Sequence, residues 1–411
     1  MITVSYHGWF YLCLLTIFLF LSKVSTSFAL SKEAPMIREK IRQKLSVYLR
    51  RFAHQLDPRT ETCLQGGLTL VPMPGFEDFA RDIKEKIEKG SIASQQRYTA
   101  VDIVYPKIGE HANGEPYVEL SKEHVGGHDC ILLTSGPGTR TMMMDTLLVL
   151  YYLVGRDARR ITVINGYYPL SRSDKDEGDL ILALAPFFAR EVISICGDKL
   201  SKIIAVDLHA SQIVLSLSPG KITEVNLGRR LLKQAMQEAQ RSKRPFVIAF
   251  PDDSARKRYE KILEKVEQEL RIHVPTVTAA KRRSDSKSSA VQYLIGDLDK
   301  LKGAIVITCD DEIATAGTNI NAATVFVKEY KATEVWAIVP HGVLCGPAAE
   351  KLGKKDCPIK RVFITDTIPV KTRKALQGLT DSNILHVVEW WQDLAWVIYQ
   401  HHWGKSIRNL R

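Results

Sequence analysis

Along most of the chain, short apolar runs alternate with longer segments in which apolar residues recur every three or four positions. The largely apolar stretches within 128–139, 159–170 and 304–312 predict strands that are buried on both faces. The helical spacing is clearest at 76–90 and 254–270. This alternation predicts an α/β protein in which mainly parallel sheets are flanked by helices.

The alternation runs through two cycles, which predicts two tandem domains with a break near residues 218–225. The predicted strands are 68–75, 98–108, 116–123, 128–139, 159–170, 199–212, 244–253, 304–312, 334–342 and 361–369. The predicted helices are 76–90, 141–158, 179–197, 254–270, 318–332 and 346–355. The predicted parts of the chain are a leader with a basic extension at 1–65, an N-terminal domain at 66–220, a C-terminal domain at 221–375 and a segment at 376–411 that packs back on the first domain.

The composition is that of a soluble globular protein, with 45% hydrophobic and 25% charged residues. The net charge of +11 is unevenly placed: residues 1–60 hold nine Lys and Arg against three Asp and Glu, a surplus of six. The rest is mildly basic, which argues against a nucleic-acid partner and suits anionic, phosphate-bearing substrates. The seven cysteines form no CxxC pair, which favours ordinary thiols in a reducing compartment.

The first residues are typical of a targeting leader. An apolar run, WFYLCLLTIFLFLSK, is too short to span a bilayer comfortably and resembles the core of a signal peptide. The stretch at 36–52 then places apolar residues on one helical stripe and Lys and Arg on the other, which suits a transit peptide. The combination resembles the bipartite leaders of algae with secondary plastids, so we expect a plastid location and no stable membrane partner for the mature chain. A membrane anchor followed by a structural helix, or a cytoplasmic protein, is the alternative.

Polar residues gather where the predicted strands end. The six groups are Thr134–Thr139, Arg172–Asp174, Asp207 with His209, Asp252 with Asp253, Asp310–Thr318, and His341. Ligands of open parallel sheets bind beyond the carboxyl ends of the strands, so these groups predict a binding cleft.

The group at 310–318 predicts a particular ligand. Thr315, Ala316, Gly317 and Thr318 form a turn of small residues before a helix, which offers backbone N–H groups and hydroxyls to a phosphate monoester. Asp310 and Asp311 are placed to accept hydrogen bonds from two neighbouring hydroxyls. A phosphate joined to a cis-diol is a pentose 5-phosphate. An acidic cap at an ordinary helix start would need no ligand at all.

Several segments together resemble one known family. DDEIATAGT at 310–318 resembles the ribose-phosphate loop of type I phosphoribosyltransferases and of ribose-phosphate pyrophosphokinases. The second family also matches VDLHASQ at 206–212, KRR at 281–283, VPHGVLCGPA, VFITDTIP and HHWGKSIRNL. The similarity runs from about residue 66 to the C-terminus. VIAFPDDSARKRY and SRSDKDEGDL look closer to the plant-type subclass. The resemblance implies two tandem domains of the type I phosphoribosyltransferase-like fold, ATP on the first and ribose 5-phosphate on the second.

The resemblance also implies a reaction and its residues. The β,γ-diphosphoryl group of ATP would pass to the 1-hydroxyl of ribose 5-phosphate, which needs positioning, positive charge and Mg²⁺. The implied residues are Lys281, Arg283 and His209 for catalysis, His209 and Asp252 for Mg²⁺, Asn113, Glu115, Arg172, Ser173 and Asp174 for ATP, and Asp310, Asp311, Thr315, Ala316, Gly317 and Thr318 for ribose 5-phosphate. The resemblance also implies homo-oligomers that are built from dimers and can be as large as a hexamer.

The sequence departs from the family pattern at His111, Asn113, Ser173 and Ala314. Two other hypotheses therefore stay open. One is a catalytically weak regulatory relative that assembles with active subunits, against which the presence of His209, Asp252, Lys281 and Arg283 counts. The other is a base phosphoribosyltransferase, which Ala314 permits but the first-half motifs disfavour.

Overall fold

The computed structural model describes residues 63, 65–89, 92, 98–122, 124–176, 178, 180–210, 212–215, 220–281 and 291–407. Residues 1–62 of the leader predicted at 1–65, and the candidate Arg283, lie outside these residues. Cys63 to Arg411 form one compact unit. Within the described part of the chain, no helix is long and apolar enough to cross a bilayer.

The first half of this unit is built on a six-stranded sheet in which every strand is parallel to its neighbours, in the order β2-β1-β5-β6-β7-β8. Its strands are β1 Leu68–Pro72, β2 Val101–Ile103, β5 Asp129–Thr134, β6 Arg160–Asn165, β7 Leu200–Val206 and β8 Ile222–Val225. A separate antiparallel hairpin joins β3 Pro106–Glu110 to β4 Pro116–Leu120.

The second half is built on an eight-stranded sheet in the order β11-β10-β9-β12-β14-β15-β16, with β13 paired to β14. Its strands are β9 Phe246–Phe250, β10 Thr276–Lys281, β11 Val291–Gly296, β12 Ile305–Cys309, β13 Glu312–Ile313, β14 Glu334–Gly342, β15 Ile359–Thr365 and β16 Leu385–Val388. Only the β10–β11 pair at the edge is antiparallel. The predicted mainly parallel sheets are therefore confirmed.

Helices cover both faces of each sheet. They are α1 Glu77–Glu88, α2 Arg140–Gly155, α3 Ala185–Cys196, α4 Gln212–Leu215, α5 Gly228–Arg241, α6 Asp253–Leu270, α7 Gly317–Lys328, α8 Ala348–Leu352, α9 Gln377–Asp381 and α10 Trp391–His402. Helices α2 and α3 pack on one face of the first sheet and α1 and α10 on the other. In the second sheet α7 and α8 take one face and α5 and α6 the other. Sheets buried on both faces in this way explain the unbroken apolar runs in the sequence.

Three sequence predictions are corrected by the structure. Strand β8 lies in the first sheet, so that sheet extends beyond the boundary predicted at residue 220. The helix predicted at 179–197 begins only at Ala185, because Pro186 favours a helix start and Leu184 and Ala185 donate to the Ser173 carbonyl oxygen. Helix α5, strand β16 and the terminal helix α10 were not predicted as elements.

A buried polar cluster fixes α10 to the first sheet. His402, the last residue of α10, contacts Asp129 Oδ2 through Nδ1 at 2.8 Å. Arg160 donates to both Asp129 oxygens, at 2.8 and 2.5 Å. His401 contacts the Thr162 hydroxyl at 3.0 Å. Asp129 is the first residue of β5 and Arg160 the first of β6, so this cluster lies at the amino ends of the strands.

Candidate active site

The carboxyl ends of the two sheets meet along a polar junction that we call the seam. It is formed by Tyr167, Arg172, Asp207, His209, Arg258, Asp311, Glu312 and His341. These residues follow or end parallel strands of the two sheets, with the exception of Arg258, which lies in α6. Parallel strands expose their carboxyl ends at one edge, so the predicted polar groups converge there.

The centre of the seam is a contact between His209 of the first half and Asp311 of the second. His209 Nδ1 bonds to Asp311 Oδ2. Arg258 donates to the His209 carbonyl oxygen at 3.0 Å and lies 3.6 Å from Asp311 Oδ2. The hydrogen bond to Asp311 raises the pKa of His209. Burial opposes ionisation of Asp311, but the bond from His209 lowers the pKa of its carboxyl overall. Without a bound metal ion, the pair therefore favours imidazolium and carboxylate. A cation at Nε2 would require the neutral ring, whose Nδ1–H would then donate to Asp311.

A second bridge crosses the seam beside this pair. Tyr167, just after β6, donates to Glu312 Oε2 at 2.6 Å. Arg172 Nε lies 3.2 Å from Glu312 Oε1. Arg172, predicted to bind ATP, is thus held by a carboxylate of the other half while most of its side chain stays exposed.

A buried histidine, His341, joins the two halves by hydrogen bonds near these pairs. His341 Nε2 donates to the carbonyl oxygens of Val206 and Asp207 at 3.1 and 3.0 Å. Its Nδ1 lies 3.0 Å from the Thr367 hydroxyl. Burial lowers the pKa of His341 to about 4, so the ring stays neutral at pH 7. The backbone also approaches closely here: a Cβ on Gly166 would lie 2.0 Å from the Thr367 carbonyl oxygen, so only glycine fits.

The ribose-phosphate candidates surround the start of α7. Ala316, at φ 62°, precedes the helix that begins at Gly317, and the first-turn N–H groups have no intrahelical acceptor. Thr315 and Thr318 are exposed at this turn. This arrangement of backbone donors and hydroxyls suits a phosphate group.

A lysine that the sequence analysis missed lies beside this turn. A Cβ placed on Gly317 would be 3.6 Å from Lys351 Nζ and 3.9 Å from Thr315 Oγ1. Gly317 and Lys351 line one cavity of about 630 Å³, together with Lys328, Lys354 and Lys360. A second cavity of about 310 Å³ is lined by Asp310 and Thr318. Lys351 is therefore the positive charge nearest to the turn among the lysines of this cavity.

The two adjacent aspartates have different surroundings. Asp310 Oδ1 accepts from the Asp311 backbone N–H at 3.0 Å, and the Asp310 carbonyl oxygen accepts from Tyr259 at 3.1 Å. Burial, with the neighbouring Asp311 charge, raises the pKa of Asp310. Asp311, predicted to face a ribose hydroxyl, has one oxygen engaged by His209 instead.

The predicted magnesium residues fit a divalent cation in part. Within the described residues, His209 Nε2 makes no hydrogen bond, and its Nδ1 contacts a carboxylate, an arrangement that orients metal-ligating histidines. Asp252 caps α6 by accepting from the Ala255 N–H at 2.9 Å, and its charge contributes to raising the pKa of Asp310. Among the residues described, no group of three or more His, Cys, Asp or Glu side chains forms a complete metal site. A Mg²⁺ ion here would take its remaining ligands from water and phosphate oxygens.

The other nucleotide candidates divide into two groups. Ser173 holds the turn before α3 through its hydroxyl, which accepts from Leu184 N–H at 3.0 Å, and the Asp174 charge contributes to raising the pKa of His209. Asn113 and Glu115 lie at the exposed tip of the β3–β4 hairpin, where Asn113 Oδ1 accepts from the Glu115 N–H at 3.2 Å. No hydrogen bond between described residues joins that tip to the seam.

Of the two catalytic-loop candidates, Lys281 ends a strand at the edge of the second sheet. Strand β10 runs parallel to β9 and continues beyond the residue opposite Phe250, ending at Lys281. Lys281 therefore lies at the same carboxyl edge as Asp252. Its neighbour in the motif, Arg283, belongs to the loop at 282–290, outside the described residues.

Sequence reasoning missed Arg258, Glu312, Tyr167 and Lys351. Arg258 and Lys351 lie in charged helical segments that resemble solvated faces. Glu312 follows the Asp310–Asp311 pair directly and could have been singled out as a third carboxylate at that strand end. Nothing local in the sequence connects Tyr167 to Glu312, which is 145 positions away.

Comparisons with known proteins agree with this architecture. Residues 69–184 match the model of the N-terminal domain of ribose phosphate pyrophosphokinase, and residues 266–407 match that of the phosphoribosyl synthetase-associated domain. The chain is 32% identical over 275 residues to a ribose-phosphate pyrophosphokinase of Clostridium acetobutylicum, covering 66% of this chain and 80% of that protein. It is 27% identical to ribose-phosphate pyrophosphokinase A of Dictyostelium discoideum, covering 74% and 88%.

A solved structure supports the fold independently. The phosphoribosylpyrophosphate synthetase of Mycobacterium smegmatis superposes with a TM-score of 0.63 at 24% identity, covering 82% of this chain and 98% of that one. The predicted fold, two tandem phosphoribosyltransferase-like domains, is confirmed by this match.

Proposed function

The chain belongs to the ribose-phosphate pyrophosphokinase family, and from this membership we propose that it transfers the β,γ-diphosphoryl group of ATP to the 1-hydroxyl of ribose 5-phosphate. The products would be 5-phosphoribosyl 1-diphosphate and AMP. The observation that carries the proposal is the contact of His209 with Asp311, which joins the end of strand β7 in one sheet to the residues just before the predicted ribose-phosphate turn of the other.

The residues of the seam would act mainly by positioning and by charge. The turn at 315–318 would hold the 5-phosphate through backbone N–H groups, and this leaves the sugar hydroxyls toward Asp310 and Asp311. Arg172 and Arg258 would face the triphosphate, and Lys281 and Arg283 would close over the transferred group to stabilise its negative charge. Holding both substrates in the correct orientation makes the reaction between them effectively unimolecular, which lowers its barrier.

Magnesium is part of the proposal. His209, through Nε2, and Asp252 are the protein groups that would hold Mg²⁺. The ion would neutralise and orient the phosphate oxygens of the nucleotide. His209 would be kept in the correct orientation for this by Asp311.

The test of the proposal is the product formed by the purified full chain. We expect AMP and 5-phosphoribosyl 1-diphosphate in equal amounts, followed by chromatography and ³¹P NMR, only when ATP, ribose 5-phosphate and Mg²⁺ are all present. Formation of ADP would contradict diphosphoryl transfer. No AMP at saturating substrates, with or without inorganic phosphate, would favour the regulatory relative, and base-dependent release of diphosphate from 5-phosphoribosyl 1-diphosphate would favour the phosphoribosyltransferase.

Lys351 supplies a prediction for the phosphate side of the site. Replacing Lys351 with alanine should raise the KM for ribose 5-phosphate by about ten- to a hundredfold, since a charge-assisted hydrogen bond contributes on the order of 1.5–3 kcal/mol. The KM for ATP should change much less. Lys354→Ala is the matched control, because this lysine lines the same cavity but lies 3.7 Å from Glu350. If both substitutions changed the KM for ribose 5-phosphate equally, Lys351 would not be part of the phosphate site.

We further propose that the chain forms dimer-based homo-oligomers, as the resemblance implies. Exposed apolar side chains on the outer helices of the first half support this: Met144 and Tyr151 in α2 are 54% and 70% exposed, and Phe187 in α3 is 47% exposed. Light scattering of the purified full chain would contradict the proposal if it gave the mass of a monomer at micromolar concentration.

A further inference from the structure

A cysteine, a histidine and an aspartate from three distant parts of the chain meet at the amino edge of the first sheet. Cys63 precedes β1, and its Sγ donates to the carbonyl oxygen of His402 at 3.3 Å. The Cys63 thiol therefore lies beside His402, and the two side chains affect each other's pKa. On its other side the ring contacts Asp129, which Arg160 holds in turn. This edge is opposite the seam, so the group is separate from the proposed active site.

The cluster has the parts of an activated thiol. In such groups a carboxylate orients an imidazole, and the imidazole stabilises the thiolate. The side chains of His402 and Asp129 are 2% and 0% exposed, so their orientation is fixed by the packing of α10. Cys63 itself is only partly buried.

The electrostatics agree with this geometry. Burial opposes ionisation of Cys63, but the hydrogen bond from His402 lowers the pKa of the thiol overall. Burial likewise opposes charging of His402, while Asp129 and Cys63 raise the pKa of its imidazole. The neighbouring His401 contributes no charge at pH 7, because burial lowers its pKa to about 4. Arg160 faces Asp129 and offsets that carboxylate.

The other described cysteines have different surroundings. Burial raises the pKa of Cys130 and Cys196 to about 12. Burial also raises the pKa of Cys309 and of Cys357. Cys345 is exposed. Among the described cysteines, only Cys63 combines access with a neighbouring imidazole.

We propose that Cys63 is a reactive thiol, activated by His402 and Asp129, that is modified by hydroperoxides. The thiolate sulfur attacks the terminal oxygen of the peroxide, so an S–O bond forms and the O–O bond breaks. The sulfur is oxidised by two electrons to a sulfenic acid, and the peroxide is reduced to an alcohol, or to water in the case of hydrogen peroxide. The proton for the leaving oxygen comes from the His402 imidazolium.

The first test compares two thiols of the same full chain. Alkylation by iodoacetamide is followed by mass spectrometry of the peptides that contain Cys63 and Cys345, between pH 5 and 9. We expect Cys63 to react about fivefold faster or more at pH 6.5, with its rate rising at lower pH than that of Cys345. Equal rates at pH 6.5 would overturn the proposal, and this comparison needs no variant.

The second test removes the imidazole. His402→Gln should bring the alkylation rate of Cys63 down to that of Cys345, whereas His401→Gln should leave it unchanged. An unchanged rate in His402→Gln would overturn the activation. In the wild-type chain, one equivalent of hydrogen peroxide followed by dimedone should label Cys63 and not Cys345; absence of the label on Cys63 would overturn the oxidation step.

Discussion

Replacing Lys281 with alanine is expected to lower the turnover number for AMP formation by about 10²–10³-fold, the size of effect seen when one preorganised donor to a transition-state charge is removed. Strand β10 carries Lys281 to the carboxyl edge of the second sheet, beyond the end of β9. A cation at this edge would stabilise the negative charge of the transferred group. The measurement is AMP formation at saturating ATP and ribose 5-phosphate.

The control for Lys281 is another lysine of the same domain. Lys302 is exposed and precedes β12, at the opposite edge of the sheet. Lys302→Ala should keep the full rate, and circular dichroism should show that both variants remain folded. If the Lys281→Ala variant formed AMP at the normal rate, the assignment of both Lys281 and Arg283 as catalytic residues would be wrong.

His209→Ala should reduce turnover by a similar factor, about 10²–10³-fold, for two physical reasons. It removes the ring nitrogen that we assign to Mg²⁺, and it removes the hydrogen bond that keeps Asp311 ionised. His273→Ala is the control, because that side chain is 92% exposed and pairs with Glu267 away from the seam. If His209→Ala reacts as fast as the control, the seam is not the site of reaction.

Much of the fold could be predicted because each buried strand carries its own signal. The strands at 160–165 and 304–309 are mainly apolar, because helices cover both faces of their sheets. Helix α3 shows the limit of this approach: the apolar residues Leu180 to Leu184 extend the helical pattern, but Leu180 is 95% exposed and the helix starts at Ala185. Apolar character alone does not tell a buried helix from an exposed turn.

For the site, the sequence predicts which polar residues follow strands, but not which of them contact each other. Chain order shows that Asp207, Asp252 and Asp310 each follow a strand, and parallel sheets then place them at shared edges. Which residues touch across the two halves depends on how one sheet packs on the other, and the sequence carries no local record of it. Asp311 illustrates this, because the pattern suggested a sugar hydroxyl as its partner and the structure gives it His209.

Asn113 and Glu115 are a second example of contacts that the sequence does not predict. The turn that holds them is present, at the tip of the β3–β4 hairpin, but no hydrogen bond between described residues joins it to the seam. A motif can thus fold as expected while its distance from the remaining site residues stays unpredictable from sequence.

The measurement that bears most directly on a single site shared by both sheets is a double-mutant cycle for AMP formation with His209→Ala and Asp311→Asn. If the two residues act as one unit, each single substitution removes most of the contribution of the pair to the rate of AMP formation. The double variant is then slower than the slower single variant by no more than about threefold. Effects that multiply in full, or single variants that keep the normal rate, would contradict the account.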